Sequence, residues 1–397
     1  MTFGKCLLRD GLGPLRRPGF RGRRGSPLIS SAVARHWTAP GRQTTFPGDP
    51  VSTADSVNAL TTHDAPAWDA FVARCPGASS YARWAWLELL SEAFRLPRVA
   101  LASRLGPEIR GVLPLIQQSN PLHGRFLTSL PFVNYGGLVA EDGQATAALI
   151  AACAEETRRR GAAHAELRQL PGTPLDLPAA TYKVRPVLDL PADPAPLWDG
   201  LGAKLRSQVR RPTKEGIEAA VGGAERLDDF YRVLATRWRQ LGSPVYRRSF
   251  FERILATFPE EHAIVTVRKG ETIVGAAWLH HYRGTCEIPW AATLVEWNRF
   301  SPNMLLYWQA IETAIGLACT RFDFGRSTEG APTHAFKMQW NPRCEPLPWY
   351  YVLGRAASVP GPAGTGGAAA GFRSAWAKLP LSWTIRLGHA FARRLPF

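Results

Sequence analysis

Three ionisable side chains interrupt an otherwise apolar and aromatic stretch of this chain, between Glu287 and Trp340. They are Asp323, Arg326 and Lys337, placed near the ends of predicted elements. A core segment normally repeats aliphatic residues with a period of 2 or 3.6, so such interruptions often mark a functional site. A carboxylate, a guanidinium and an ammonium in a desolvated setting are suited to orienting an acceptor, holding an anion and stabilising developing negative charge.

Lys337 is the strongest catalytic candidate. It lies in the sequence AFKMQW, where Phe336, Met338 and Trp340 surround it with apolar groups. Desolvation strengthens the attraction between an ammonium and developing negative charge, so Lys337 is suited to stabilise the oxyanion formed in an acyl transfer. The alternative is a solvated lysine at the end of a strand.

Asp323 and Arg326 are the second pair of catalytic candidates. On a strand, Phe322 and Phe324 face one side and Asp323 the other, and Arg326 follows the bend expected at Gly325. In the catalytic interpretation, Asp323 orients either Arg326 or an acceptor amine, and Arg326 holds a phosphate or carboxylate. In the structural interpretation, the two residues form an ion pair at the end of a sheet.

Two asparagines upstream, Asn298 and Asn303, are candidates for substrate binding. We expect a helix beginning at Met304, which Asn303 would cap. The free amides at that helix start could instead hold an anion.

A basic cluster in the sequence KLRSQVRRPTKEG offers a further binding candidate, and Pro212 should end or kink its helix. The functional interpretation is contact with phosphates of a nucleic acid or a lipid-linked sugar, and the structural one is a solvated helix face. The cluster lacks interleaved aromatic residues, so base stacking is not indicated. Its cations are Lys204, Arg206, Arg210, Arg211 and Lys214.

Tryptophans crowd the second half of the chain, and Trp290 and Trp340 are candidates for stacking on a sugar, although building a core is the commoner use of such residues.

The six cysteines are scattered, with no C-x-x-C pair and no Cys/His cluster at zinc-ligand spacing. We therefore expect a reducing compartment and no metal. His280 and His281 have no recognisable triad partner.

The elements that position these residues occur twice. Moving residues 86–115 by 164 positions places them on residues 250–279 without a gap, and Gly106 then coincides with Gly270 and Gly111 with Gly275. Each copy is predicted to contain an amphipathic helix, a strand, a turn and a second strand. Each half continues with a helix ending in glycine and a short strand that carries a carboxylate and an arginine. The sequence thus predicts a duplicated unit.

The second half resembles the GNAT-like acyltransferase modules of FemAB-type peptidoglycan aminoacyltransferases. The motif that carries the resemblance is NRFSPNMLLYWQAIETAIGLACTRFDFGRST with FKMQW, residues 298–340, and the repeat extends it weakly over 55–353. GAAWLHHYRGTCEIPWAA, FDFGRST and the closing WYY are more narrowly similar to FemAB-related proteins of PEP-CTERM and exosortase systems, which have a BioF2-like acetyltransferase domain. Asn341 departs from this pattern, since many relatives have glycine there.

This resemblance implies an α/β (α+β) fold of tandem GNAT-like modules, each a mixed, mostly antiparallel sheet covered by helices. It also implies that Lys337 of the Phe336–Lys337 pair stabilises a tetrahedral intermediate, and Phe336 is a candidate for substrate or donor binding. The expected reaction is acyl or aminoacyl transfer to an amine or hydroxyl of a cell-envelope or exopolysaccharide precursor, a sugar nucleotide or lipid-linked saccharide. No cofactor should be tightly bound, and the co-substrate is aminoacyl-tRNA or acyl-CoA. The alternatives are an acyl-CoA-dependent N-acyltransferase on a nucleotide sugar, although no R-x-x-G-x-G loop occurs, and a non-catalytic peripheral scaffold.

The predicted organisation places basic segments at both ends of two modules. Residues 1–50 form a disordered tail, 51–192 the first module, 193–354 the second, catalytic module, 355–371 a linker and 372–397 a basic amphipathic segment. Of the net charge of +16, residues 1–50 contribute +7 and residues 355–397 contribute +6, so the body is nearly neutral.

We expect a cytoplasmic protein without a transmembrane helix, because no run of about 18 apolar residues occurs. The last segment suits either an anionic membrane surface or packing against the body.

Overall fold

A computed structural model of the protein describes residues 55–120, 124–172, 174–356, 358–361 and 367–394. The tail predicted over residues 1–50 lies outside the described residues, as does part of the predicted linker. In chain order the strands are β1 (Ser56–Ala59), β2 (Arg98–Leu105), β3 (Glu108–Asn120), β4 (Gly124–Thr128), β5 (Val139–Ala140), β6 (His164–Arg168), β7 (Ala179–Ala180), β8 (Lys183–Asp189), β9 (Ile217–Gly222), β10 (His262–Lys269), β11 (Thr272–Tyr282), β12 (Thr285–Thr293), β13 (Arg321–Asp323), β14 (Ser327–Thr328), β15 (Arg343–Pro346) and β16 (Trp349–Leu353).

The α-helices lie between and after these strands. They are α1 (Ala65–Arg74), α2 (Trp84–Phe94), α3 (Gly143–Arg159), α4 (Pro194–Gly200), α5 (Ala203–Lys214), α6 (Leu227–Gln240), α7 (Arg248–Thr257), α8 (Pro302–Gly316), α9 (Pro332–Met338), α10 (Gly367–Lys378) and α11 (Leu381–Ala392). Within the described part of the chain, no helix is both long enough and apolar enough to cross a bilayer.

The strands form two sheets of similar design. The first has the order β1-β2-β3-β4-β6-β16-β7, with β5 on β3, and the second has the order β14-β8-β13-β12-β11-β10-β9, with β15 on β8. Most neighbours are antiparallel, whereas β4 and β6 are parallel, as are β12 and β13. The predicted fold class, mixed and mostly antiparallel sheets covered by helices, is therefore confirmed.

The 164-residue repeat is visible in backbone detail. Strands β2 and β3 correspond to β10 and β11, and the turns between them place Gly106 at φ 60° and Gly270 at φ 55°. The register between the paired strands shifts after Ser103 in the first copy and after Val267 in the second, again 164 residues apart. A left-handed turn residue and a bulge are set by local chemistry, which explains why both copies keep them.

A continuous apolar core joins the two sheets. Helices α2, α6 and α7 contribute to it from both halves of the chain, and the ring of Trp86 stacks on that of Phe258 with centroids 4.9 Å apart. Helix α8 packs against the second sheet in a further core cluster, and α3 against the first in another. The shared core thus packs residues of the second sheet against residues of the first.

The two sheets exchange strands near their ends. Strand β8, which the prediction placed in the first module, pairs with β13 in the second sheet, and β16, placed in the second module, pairs with β6 in the first. The described residues, 55–394 with their gaps, belong to one compact unit. The boundary between modules at residue 192 stays a prediction.

Candidate active site

The parallel pairing of β12 with β13 brings two carboxylates together. Glu287 lies opposite Asp323 in the register of these strands. Glu287 is 3% exposed and Asp323 is fully buried. Burial first, and the neighbouring Asp323 second, raise the pKa of Glu287 to about 7. A carboxyl with a pKa near neutrality can both accept and return a proton at physiological pH.

The first half of the chain supplies hydrogen bonds to both carboxylates. The loop between β4 and β5 carries Asn134, whose Nδ2 donates to Oε1 of Glu287 at 2.5 Å. The hydroxyl of Tyr135 lies 3.2 Å from Oε2 of Glu287 and 3.0 Å from Oδ2 of Asp323. The site is therefore built from both modules.

Asp323 pairs with Arg185 of β8. The Nε of Arg185 donates to Oδ2 of Asp323 at 2.5 Å, and its Nη1 donates to Glu345 of β15 at 3.0 Å. Burial acts against the charge of Arg185, but Asp323, Tyr135 and Glu345 together outweigh burial and raise the pKa of the guanidinium above its ordinary value. The hypothesis that Asp323 pairs with Arg326 is wrong, because β8 delivers a different arginine from 138 residues upstream.

A tight turn after β13 connects the carboxylates to Lys337. Gly325 adopts φ 70°, and its amide donates to Oδ1 of Asp323 at 2.8 Å. A Cβ added to Gly325 would lie 2.8 Å from Nδ2 of Asn134, so a side chain there would displace the amide that binds Glu287. Glycine is required at this position both for its backbone conformation and for space.

Lys337 lies on helix α9, not at the end of a strand as its alternative interpretation assumed. Its side chain is buried, and its Nζ donates to the carbonyls of Gly325 and Arg326, each at 3.1 Å. An ammonium has three N–H bonds, so one remains for a ligand. Burial lowers the pKa of Lys337 to about 8, while Asp323 partly offsets that effect.

A cavity of about 280 Å³ opens beside the carboxylates. Glu287, Tyr135 and Arg185 line it together with Tyr81 and His280. Lys337 lies behind the turn at Gly325 and is not among the described residues that line this space. A larger cavity of about 500 Å³ shares the wall formed by residues 76–79 and extends over the first module.

The side chain of Arg326 points away from Asp323. Its guanidinium lies over the indole ring of Trp349, with Cζ 5.0 Å from the ring centroid. Its backbone carbonyl nevertheless holds Lys337, so the residue links two different groups of the site.

The other predicted binding residues divide between core and surface. Trp290 is a core residue whose ring contacts Phe250 and Phe251, and Trp340 is buried with its ring parallel to that of Trp308. Phe336, on the same helix as Lys337, packs its ring edge against another core side chain. The arrangement of these aromatic rings matches the core interpretation.

The two asparagines do not meet the carboxylates. Asn298 is exposed in a short 3₁₀ helix, Val295–Phe300. Helix α8 starts at Pro302 and its N-cap position is Ser301, at φ 59°, so the prediction that Asn303 caps the helix is wrong. Proline at the first helical position fits because its missing N–H would have had no partner there.

The basic cluster forms helix α5, which ends two residues after Pro212. Arg206 donates to the carbonyls of Asp199 and Leu201, and Arg210 lies over the ring of Trp198 at 4.9 Å. Lys204, Arg211 and Lys214 are exposed on the same helix. The structure does not bring this helix to the carboxylate pair.

Sequence reasoning did not single out four residues that build the site, Asn134, Tyr135, Arg185 and Glu287. A signal existed for Glu287, the only charged residue in the sequence TCEIPWAAT of β12. The other three belong to segments far away in sequence, where no local pattern marks them.

Comparison with known proteins supports the fold of the second half. Residues 203–338 match the profile of the acetyltransferase (GNAT) domain, a range that includes Glu287, Asp323 and Lys337. No curated protein matches the chain in sequence.

Several solved structures share the architecture of the chain. The crystal structure of FemX is 14% identical, with a TM-score of 0.54, and the match covers 76% of this chain and 98% of FemX. The C-terminal domain of a putative lysylphosphatidylglycerol synthetase from Agrobacterium fabrum is 14% identical, with a TM-score of 0.50, covering 73% of this chain and 92% of that one. A protein of unknown function from Bacteroides thetaiotaomicron is 9% identical, with a TM-score of 0.51, covering 75% and 99%. These similarities define a GNAT/FemX-like fold.

Proposed function

We propose that the protein is an acyl- or aminoacyl-transferase that acts on an amine or hydroxyl of a cell-envelope or exopolysaccharide precursor. The observation that carries this proposal is the buried ammonium of Lys337, held by two carbonyls with one N–H left over and connected to Asp323 through the turn at Gly325. All three residues fall within the range that matches the GNAT domain. The resemblance to FemAB-type proteins supports the substrate class.

In the proposed reaction, Glu287 is the general base. The acceptor nitrogen or oxygen forms a bond to the carbonyl carbon of the donor while its proton passes to Glu287. The carbonyl oxygen takes the electron pair and becomes an oxyanion, which the remaining N–H of Lys337 stabilises. The oxyanion then collapses, the bond to the leaving group breaks, and Glu287 returns the proton to that group.

Arg185 and Tyr135 act as positioning residues in this scheme. Arg185 holds Asp323 in place through the hydrogen bond of 2.5 Å from its Nε, and Asp323 in turn contributes to the raised pKa of Glu287. Tyr135 donates one O–H between the two carboxylates and fixes their separation. Arg326 contributes its carbonyl to the placement of Lys337.

The GNAT domain match favours an acyl-CoA as donor, and aminoacyl-tRNA is the alternative. The purified protein should be offered radiolabelled acetyl-CoA or aminoacyl-tRNA with an amino-sugar nucleotide as acceptor. If product forms with only one of the two donors, that donor is the co-substrate. Mass spectrometry of surface polysaccharide from a deletion strain should show the loss of an acyl or aminoacyl substituent.

Substitution of Lys337 by Met is the direct test of the assignment. We expect transfer to fall by roughly a hundredfold or more while the fold remains, because a single oxyanion donor commonly contributes that much. Lys269→Met, on β10, is the control, and the Nζ of this lysine lies 4.2 Å from the centroid of the Phe300 ring. Wild-type rates in K337M would exclude Lys337 from catalysis.

We also propose that helices α10 and α11 contact an anionic membrane surface from the cytoplasmic side. Trp383, Leu387 and Phe391 lie four residues apart on one face of α11 and are 57%, 40% and 40% exposed. The opposite face packs on the body, where the ring of His389 stacks on that of Phe94 at 4.6 Å. The proposed membrane contact and the packing against the body thus involve different faces of α11.

The charge of the two helices fits this partner. Residues 367–394 contain five Lys or Arg and no Asp or Glu. Basic side chains around exposed tryptophan and leucine suit the interface of a bilayer with anionic lipids. The protein should float with phosphatidylglycerol vesicles but not with phosphatidylcholine vesicles, and W383S/L387S should abolish flotation. L317S, at a leucine 39% exposed just after α8, is the control, and equal flotation of all variants would contradict the proposal.

A further inference from the structure

Three cationic side chains surround the indole ring of Trp349. The Cζ of Arg168 lies 4.5 Å from the ring centroid, the Cζ of Arg326 lies 5.0 Å away, and the Nζ of Lys183 lies 5.6 Å away. They come from β6, from the turn before β14 and from β8, while Trp349 lies on β16. Four distant segments therefore converge on one point between the two sheets.

Only one carboxylate belongs to this group among the described residues. Glu166 accepts a hydrogen bond of 2.8 Å from Nε of Arg168 and one of 2.9 Å from the hydroxyl of Tyr351. Three positive charges against one negative charge leave an excess of two. Like charges close together in a desolvated setting repel each other strongly.

The proton affinities of the cations reflect this crowding. Burial and then Arg168 lower the pKa of Arg326 to about 10. Burial, followed by Arg326 and Arg168, lowers the pKa of Lys183 to about 8. An anion between these side chains would remove the repulsion that contributes to both changes.

Hydrogen-bond donors in the same group also lack acceptors. Nη1 of Arg326, Nε1 of Trp349 and Oγ of Ser327 are buried and have no partner among the described residues. A buried donor without an acceptor costs roughly 1–3 kcal/mol. Oxygen atoms of a bound anion would supply the missing acceptors.

We infer that Arg168, Lys183 and Arg326 form a binding site for a phosphate or diphosphate group of a substrate. The excess of two positive charges matches a phosphate monoester or a diphosphate diester better than a single carboxylate. Tyr182, Lys183 and Arg326 are each partly exposed, so this group of side chains reaches the surface of the protein.

The site deepens the proposed function and rests on it. The backbone carbonyl of Arg326 accepts a hydrogen bond from Lys337, while the Arg326 side chain belongs to the cation group. A phosphate held there lies close to the proposed oxyanion stabiliser. Nucleotide-linked sugars, lipid-linked sugars and coenzyme A all carry the required diphosphate chemistry.

Direct binding to the full chain tests the inference without any transfer assay. Isothermal titration and thermal unfolding should be measured with pyrophosphate, inorganic phosphate and acetate. We expect pyrophosphate and phosphate to bind and raise Tm, and acetate to have little effect. Arg326→Gln and Lys183→Met should weaken pyrophosphate binding by roughly tenfold to a hundredfold, the usual range for a charge-assisted hydrogen bond.

A variant that relieves the repulsion should also be more stable than wild type without ligand. R326Q is therefore expected to raise Tm in the absence of phosphate and to lose the increase that phosphate causes. Arg299→Gln is the matched control, because this exposed guanidinium lies 4.6 Å from the ring of Phe300 and should leave both measurements unchanged. Unaltered pyrophosphate binding in both R326Q and K183M would overturn the inference, as would the absence of binding to wild type at millimolar concentrations.

Repeating the titration with uridine diphosphate, farnesyl diphosphate and coenzyme A shows which type of molecule carries the bound phosphate group. Tighter binding of one probe, lost in R326Q, supports the site and identifies the carrier. If K337M abolishes transfer but no phosphate probe binds, the proposed function stands and this site is wrong. If the probes bind as expected and neither acyl donor is used, the site stands and the proposed reaction is wrong.

Discussion

The side-chain amide of Asn134 donates a hydrogen bond of 2.5 Å to Glu287, which lies 153 residues further along the chain. This contact joins a loop of the first sheet to a strand of the second. Because Asn134 stabilises the ionised form of Glu287, it opposes the rise in pKa that burial causes.

Asn134→Ala should therefore raise the pKa of Glu287 further. We expect the acidic limb of the transfer rate, measured against pH, to move upward by roughly half to one pH unit, since one hydrogen bond contributes about 1 kcal/mol. Asn58→Ala, at an exposed asparagine on β1, is the control. An acidic limb at the wild-type position in N134A would mean that Glu287 is not the base.

Glu287→Gln should remove activity and add stability. The pKa of Glu287 in the folded protein, about 7, lies above its ordinary value of 4.5, so the folded state binds more protons between these pH values. The unfolding free energy of wild type then falls as pH rises through this window. The E287Q variant has no ionisable group at this position, so its unfolding free energy should lack this dependence.

Chemical denaturation at several pH values measures this difference. We expect the advantage of E287Q to be small below pH 4.5 and to reach on the order of 1–3 kcal/mol above pH 7. Glu260→Gln, at an exposed position, should show no such trend. A constant difference between E287Q and wild type at every pH would contradict the raised pKa.

Lys337 sets the expected alkaline limb of activity. An oxyanion stabiliser must be protonated, so the wild-type rate should fall as pH rises through about 8, the pKa that burial gives this lysine. Lys337→Arg keeps the positive charge at every accessible pH. Whatever residual rate K337R retains should stay level above pH 8, and a residual rate that declines as in wild type would assign the limb to another group.

Alanine substitutions at Gly325 and Gly330 can separate the cost of backbone strain from the effect of displacing Asn134. Both have positive φ, 70° and 75°, but a Cβ at Gly330 would have no neighbour within 4 Å, whereas one at Gly325 would approach Asn134. Each alanine substitution should cost roughly 1–2 kcal/mol for the left-handed backbone. Thermal unfolding and transfer rates should show an additional loss only in G325A, and equal effects of both variants would show that the Asn134 contact is unimportant.

The parts of this structure that sequence analysis predicted are those determined locally. The turn at Gly106 and its copy at Gly270 follow from a residue type, and the strands on either side follow from alternating apolar residues. The duplicated pattern strengthened both predictions. Helix α5 was likewise predictable up to the break near Pro212.

The parts that sequence analysis missed depend on contacts across the chain. Asp323 and Arg326 are three residues apart and of opposite charge, but a strand and a glycine turn send their side chains in different directions. Arg185 reaches Asp323 only because β8 crosses into the second sheet. No local pattern encodes such a pairing, since it depends on how the two sheets assemble.

The exchange of β8 and β16 has a consequence for synthesis of the protein. The first sheet is incomplete until residues 349–353 emerge from the ribosome and pair with β6. Most of that sheet must wait, with a strand edge unpaired, while the entire second half is translated. An exposed edge of this kind is prone to pairing with other chains, so production of soluble protein should depend on chaperones and on uninterrupted translation through residue 353.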